Sequence, residues 1–198
     1  AYRQIQRLGF DPNDVRHIVL SHLDFDHAGG LDDFPRAEVH MLASERASAV
    51  ARRTMLDRMR YRPQQWHTKD RWRTYDGVAG ERWFEFDRVR DLPGLAGEIL
   101  MIPLIGHTLG HAGVAVRHET GWLLYAADAY FYYGEMDIDA PHCTPGLNFY
   151  QTMMEKDRRQ RIGNQGRLRE LKRRHGSEII VFCAHDVHEF EALAARSH

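Results

Sequence analysis

Histidines and aspartates gather at four places where a short apolar run of this chain ends. In VLSHLDFDH, the residues His22, Asp24, Asp26 and His27 follow the run directly. ILMIPLIGHTLGH brings His107 just past a second run, WLLYAAD ends on Asp128, and EIIVFCAH ends on His185. Imidazole and carboxylate are hard to bury, and they are the ligands that divalent zinc, iron and manganese accept. Residues i and i+2 of an extended chain point the same way. The spacing therefore predicts that His22, Asp24 and Asp26 converge on one centre, with His27, one step out of phase, turned toward a neighbouring one. A lone histidine is most often a hydrogen-bonded surface or core residue, and an aspartate after a strand is most often a helix cap. Seven such groups at four strand ends are better explained by metal. Thr108, His111 and His188 read as well as outer partners or structural residues as they do as ligands.

Those groups need strands to hold them. Apolar runs predict strands at His17–Ser21, Glu38–Leu42, Glu98–Leu104, Gly113–Arg117, Trp122–Ala127 and Glu178–Ala184. Gly113–Arg117 and Trp122–Ala127 flank His118-Glu119-Thr120-Gly121, a hairpin closed by its glycine. Helical patterns lie at residues 2–8, stopped by Gly9, and at about Ser44–Arg60, Leu147–Arg161 and Gln165–His175, the last with Gly176 as its cap. Tyr61 to Leu95 holds Trp66, Trp72, Trp83, Phe84 and Phe86 among prolines, glycines and arginines. Hairpins mixed with late strand–helix units predict a two-layer or sandwiched α/β domain.

Length and composition agree with that. The 198 residues read as one domain over 1–198, with an aromatic and arginine-rich insertion at about 55–95. Hydrophobic residues make up 43% and charged residues 28%, an ordinary globular balance. The apolar runs are too short to span a bilayer, and no charged-then-apolar leader opens the sequence, so no membrane partner and a cytoplasmic location are expected. Two cysteines, Cys143 and Cys183, exclude a disulfide framework and lack the pattern of a nucleophile. A net charge of −1 argues against nucleic acid as the partner, and the basic stretches at Arg46–Arg90 and Lys156–Arg174 are read as solvated faces.

The ordered row SHLDFDHAGG, GHTLGH, YAAD and CAHD resembles the metallo-β-lactamase superfamily of binuclear hydrolases, over essentially the whole chain from Gly9 to Glu189. The resemblance implies an αβ/βα sandwich with a dinuclear site along one edge of its sheets. It implies that His22, Asp24, His107 and Asp128 hold one metal, and that Asp26, His27, His185 and a bridging Asp128 hold the other. It would put Gly29 and Gly30 at the opening of the helix after the motif. Two departures from the family pattern stand out. The strands that normally precede the motif are reduced or missing from this chain. The motif itself is usually H-x-H-x-D-H, whereas its second position here is Asp24. Three carboxylates and a bridging hydroxide would balance two divalent ions in formal charge, where the usual histidine leaves one positive charge over. Zinc is what the family implies, and the extra hard oxygen of Asp24 also admits iron or manganese.

Two metals can lower the pKa of a shared water and polarise the carbonyl that it attacks. The expected activity is metal-dependent hydrolysis of an ester, lactone or thioester in a small-molecule substrate, with the metal-bridging hydroxide as nucleophile. Asp26 would orient the water as well as bind metal. Tyr130 would steady the oxyanion or protonate the leaving oxygen, as a tyrosine near this point does in the family's acyl-homoserine lactonases; a packed aromatic in Tyr130-Phe131-Tyr132-Tyr133 is the competing reading. The stretch Met55–Phe86 would form an apolar wall or lid, or simply cover the sandwich. The alternatives are a phosphodiesterase or nuclease of the same superfamily, a diiron redox protein motivated by Asp24, and a metal-stabilised binding module without turnover. A bridging Asp128 fits the lactonase and glyoxalase-like branches better than β-lactamases. A homo-oligomer is left open.

Overall fold

The computed structural model describes residues 1–67, 70–76, 79–95 and 97–195, which fall into two compact units, Ala1–Asp76 and Gly77–His198. In the first unit, helix α1 (Tyr2–Arg7) leads into strand β1 (His17–Val19), the single helical turn α2 (Phe25–Ala28), β2 (Glu38–Leu42), helices α3 (Ala43–Ala51) and α4 (Met55–Arg60), and β3 (Trp72–Tyr75). The three strands form a parallel sheet in sequence order. Alternation divides its two faces. Ile18, Val39, Met41 and Trp72 join Leu20, Leu23, Ala28, Leu31, Ala49 and Tyr61 in an apolar core. The opposite face carries His17, Glu38, His40 and Tyr75.

In the second unit, β4 (Glu81–Trp83), β5 (Phe86–Asp91), β6 (Ile99–Pro103), β7 (Ala112–His118) and β8 (Gly121–Tyr125) run antiparallel in sequence order. Helices α5 (Pro145–Met154) and α6 (Arg158–His175) then cross over to β9 (Ile179–Phe182), which pairs in parallel with β8 and leads into α7 (Val187–Ala194). A parallel pair needs such a long connection, whereas an antiparallel pair needs only a turn. Ile102, Leu104, Ala115, Leu124 and Ala126 pack against Leu168 and Leu171 of α6, together with Ile179 and Met136. Each large aliphatic side chain buried in this way contributes about 1.5–3 kcal/mol.

The expected hairpin is present, with His118 paired to Gly121. Gly121 (φ +154°) cannot be replaced freely, because a Cβ there would run into the Glu178 carbonyl that accepts the Trp122 N–H. Two differences from the sequence expectation have local causes. The helix expected over Ser44–Arg60 breaks after Ala51, where Arg52 turns left-handed (φ +42°) and Thr54 with Asp57 forms a capping box that starts α4. The late helices divide at Glu155–Asp157, where the Asp157 carboxylate accepts from the Gln160 N–H and caps α6. The stretch at about 55–95 contains α4, β3, β4 and β5; Trp66 and Trp72 pack on the first core, and Trp83 and Phe84 on the second.

Candidate metal centre

Each unit carries its own set of the predicted ligands. In the first, β1 ends at Val19, the chain bends at Ser21, and Asp24 is again extended before α2; His22 and Asp24 face each other, His22 Nε2 lying 3.7 Å from Asp24 Oδ2. The alternation stops there because α2 begins at Phe25. Asp26 therefore falls in with His27 rather than with His22 and Asp24, its Oδ2 lying 3.7 Å from His27 Nε2. Gly29 ends this turn, and Gly30 stands at the opening of a short 3-10 helix, Leu31–Asp33. The rings of His22 and His27 stand 4.1 Å apart, centre to centre. The turn is fixed from behind: the buried Glu45 accepts from the Leu23 N–H at 3.0 Å, and Asp24 pairs as a short bridge with Tyr61.

In the second unit the ligands come from three strand ends. His107 follows β6, Asp128 follows β8 and His185 follows β9, and β8 and β9 are neighbours in the sheet. The two oxygens of Asp128 face different histidines, Oδ2 lying 3.5 Å from His107 Nε2 and Oδ1 3.4 Å from His185 Nε2. Asp128 is buried, and its backbone is held in an unusual form, because Ala127 before it adopts φ +48°. A left-handed non-glycine costs about 1–3 kcal/mol and persists where its surroundings over-determine it.

His111 supplies part of that restraint. Its Nε2 accepts the Asp128 backbone N–H at 3.0 Å, so the proton of the neutral ring sits on Nδ1, which donates to the Leu104 carbonyl at 3.0 Å. His111 thus ties the end of β6 to the loop after β8. Helix α6 holds both loops as well: Asn164 donates to the Ile105 carbonyl at 2.6 Å, and Gln165 to the Ala129 carbonyl at 2.9 Å. Arg161, Asn164 and Gln165 are buried, so this part of the basic stretch is not the solvated face its composition predicts. Gly106 (φ +150°) lies against the start of α6, where a Cβ would come within 2.5 Å of the Arg161 backbone. Phe131 stacks on His185 (centroids 5.4 Å apart, planes at 9°) and meets His107 edge-on at 5.7 Å.

These distances fit a metal better than hydrogen bonds. An N–H···O bond spans about 2.7–3.2 Å. Two ligand atoms about 2.0–2.2 Å from one tetrahedral ion stand about 3.3–3.6 Å apart. The pairs of the second unit, at 3.4 and 3.5 Å, fall in that second range, and those of the first, at 3.7 Å, lie just beyond it. Neutral imidazole with carboxylate is a donor set suited to zinc, and to iron or manganese. His22, Asp24, Asp26 and His27 in the first unit, with His107, Asp128 and His185 in the second, would be the residues to hold such ions.

Other groups are committed elsewhere. The Tyr130 hydroxyl is buried and donates to the Glu189 carboxylate at 2.9 and 3.0 Å, while Glu189 also accepts the Cys183 N–H at 2.8 Å. Burial first, and then the neighbouring Glu189, push the Tyr130 phenol well above its ordinary pKa; burial likewise raises the Glu189 carboxyl. Burial raises the Cys183 thiol and takes Cys143 to about 11, so both stay protonated at neutral pH and neither is a ready nucleophile. His17, Glu38 and His40 form a further cluster that the sequence reading did not single out. Tyr75 and His40 Nδ1 are 2.7 Å apart, and His40 Nε2 and His17 Nδ1 2.9 Å apart, within ordinary hydrogen-bond range. Burial lowers the His40 pKa. Glu45 and Glu189 carry no signal in the sequence, and Arg60 is buried rather than part of a solvated face. Buried charged residues beside a motif are visible only once the chain is folded. Among the described residues, no helix is long and apolar enough to cross a membrane.

Comparison with known proteins agrees. The family model of the metallo-beta-lactamase superfamily matches residues 1–178. A probable metallo-hydrolase of Mycobacterium tuberculosis is 38% identical over 188 residues, covering 94% of this chain and 59% of the relative. The N-acyl homoserine lactonase AiiB of Agrobacterium fabrum is 31% identical over 137 residues, covering 64% of this chain and 45% of that protein. The chain thus spans less than two thirds of these relatives. Among solved structures, an N-acyl homoserine lactone hydrolase with N-hexanoyl-L-homoserine bound at its metal centre matches with a TM-score of 0.69 at 20% identity, over 96% of this chain and 63% of that one. Four motifs in order, a two-sheet α/β fold and a family match over most of the length lead to one conclusion: this chain belongs to the metallo-β-lactamase superfamily.

Proposed function

We propose that the chain is the metal-binding domain, residues 1–198, of a binuclear hydrolase that opens a lactone. The observation that carries the proposal is the pair of contacts at Asp128, whose two oxygens each meet a different histidine at 3.4–3.5 Å. A carboxylate presented in that way is suited to bridging two ions. His107, His22 and Asp24 would complete one ion's ligands, and His185, His27 and Asp26 the other's. When bound, two divalent ions supply a lowered pKa for a shared water and polarise the carbonyl that it attacks. The chain's own residues then have separate tasks. Asp26, on a short helical turn beside His27, holds metal and orients the water. Phe131 excludes solvent from one side of His107 and His185. Relatives named as N-acyl homoserine lactonases favour a lactone over other carbonyl substrates.

The test is metal analysis of purified protein, followed by a panel of lactones, thioesters and phosphodiesters. Two zinc ions per chain with lactone turnover would support the proposal. Phosphodiester cleavage would move the chain to the nuclease reading, and two irons with oxygen consumption to the redox reading. The Tyr130 hydroxyl is held by Glu189, which leaves two roles for it that Tyr130→Phe separates. An oxyanion role lowers turnover at unchanged metal content, whereas a packing role leaves turnover as it was.

A further inference from the structure

We infer that Arg60 returns to the metal centre the positive charge that Asp24 removes, so that the Asp24–Arg60 pair stands in, charge for charge, for the histidine usual at that position of the motif. The inference rests on the reading of His22 and Asp24 as metal ligands.

Arg60 is the last residue of α4 and is 1% exposed, among the most deeply buried side chains in the protein. A buried guanidinium stays charged and needs an anionic partner. Its Nε lies 3.2 Å from Asp24 Oδ1, and Asp24 is itself 4% exposed. The other Asp24 oxygen, Oδ2, faces His22. The carboxylate is thus turned with one oxygen toward a cation of the chain and one toward the motif. The approach is built into the fold: the residue after Arg60, Tyr61, bridges to Asp24, and the Thr54–Asp57 capping box sets where α4 begins. The surroundings are otherwise acidic. Asp57 is tied to the Thr54 N–H and Glu45 to the Leu23 N–H.

The formal charge follows. Asp24, Asp26 and Asp128 with one hydroxide balance two divalent ions, and Arg60 restores one positive charge. That is the balance a histidine at position 24 would leave. The pair restores the charge balance but leaves the hard oxygen of Asp24, and with it the room for iron or manganese, in place. Arg60 acts through Asp24 and is a positioning residue, not a catalytic one.

The sign of its effect on metal affinity separates this role from simple packing. In Arg60→Met, Asp24 loses a competing cation and regains its full charge. Zinc, measured by competition with a chromophoric chelator, should then bind about 10-fold more tightly or better. The metal-free variant should melt lower than the parent, and added zinc should raise its melting temperature by more than it raises the parent's. Arg60→Lys should bring the affinity back toward the parent's. Asp24→Asn should weaken zinc by a similar factor, since the guanidinium is then unbalanced. The double change Asp24→His with Arg60→Met should return it near the parent value, and it keeps the test open if Arg60→Met alone does not fold. Weaker zinc binding in Arg60→Met, or a double variant no better than Asp24→Asn, would overturn the inference. If the parent binds no zinc, the ligand reading itself fails; if it binds two while Arg60→Met leaves the affinity unchanged, only the role of Arg60 fails.

Discussion

The two units present similar ligands by opposite means. In the first, four of them lie within six residues, His22 to His27, and their directions follow from the short segment after β1 and the one helical turn that begins at Phe25. In the second, three ligands are spread from His107 to His185 and meet only because β6, β8 and β9 end on the same side of one sheet around Asp128. The local set depends on backbone conformation and on side chains behind the turn, such as Glu45. The dispersed set depends on sheet order and on tethers between loops, such as His111, Asn164 and Gln165. Damage should accordingly spread further through the second set than through the first.

The sharpest contrast is between Asp128 and His27. Asp128→Ala removes the group both histidines of its unit face. Both ions should be lost and turnover should fall by more than about 100-fold, beyond what loss of an outer partner costs. His27→Ala should leave one ion per chain, which metal analysis distinguishes directly. Next in size is His111→Phe, which removes the tether while keeping a ring. Metal affinity should drop about 10- to 100-fold with the ligands intact, and a drop of less than twofold would show that Asp128 needs no such support.

Much of this organisation was legible beforehand, for a physical reason. A strand end is where a polar group can leave the core, so apolar runs ending in histidine or aspartate marked all seven candidate ligands. Asp26 shows the limit: alternation alone grouped it with His22 and Asp24, and only the helical turn at Phe25 turns it toward His27. Arg60 shows another. At the end of α4, between Arg58 and Arg62, nothing in its spacing sets it apart from a solvated arginine, and its burial beside Asp24 is a product of the fold. The strands β3, β4 and β5 were hidden because arginines and aromatics interrupt their alternation.

Smaller effects refine the contrast through stability. Glu45→Ala strips the Leu23 N–H of its acceptor and should cost about 1–3 kcal/mol. Hydrogen exchange should show that loss in the first unit, with protection in β6–β9 unchanged. Glu189 gives the smallest and most pH-dependent effect. Burial raises its carboxyl in the folded state, so folding stability is favoured below the ordinary carboxylate range and declines as pH rises through the raised value. Glu189→Gln should therefore gain stability relative to the parent as pH rises above the ordinary carboxylate range, as read from paired denaturation midpoints. A difference that does not vary with pH would remove the buried charge from the account.

In the proposed function, Asp128 would be shared by two cations. Anomalous diffraction from crystals of the zinc-loaded protein tests it most directly. Two peaks are expected, each touching one oxygen of Asp128, one reached by His107 and the other by His185. A single peak away from Asp128, or two peaks with Asp128 on neither, would contradict it.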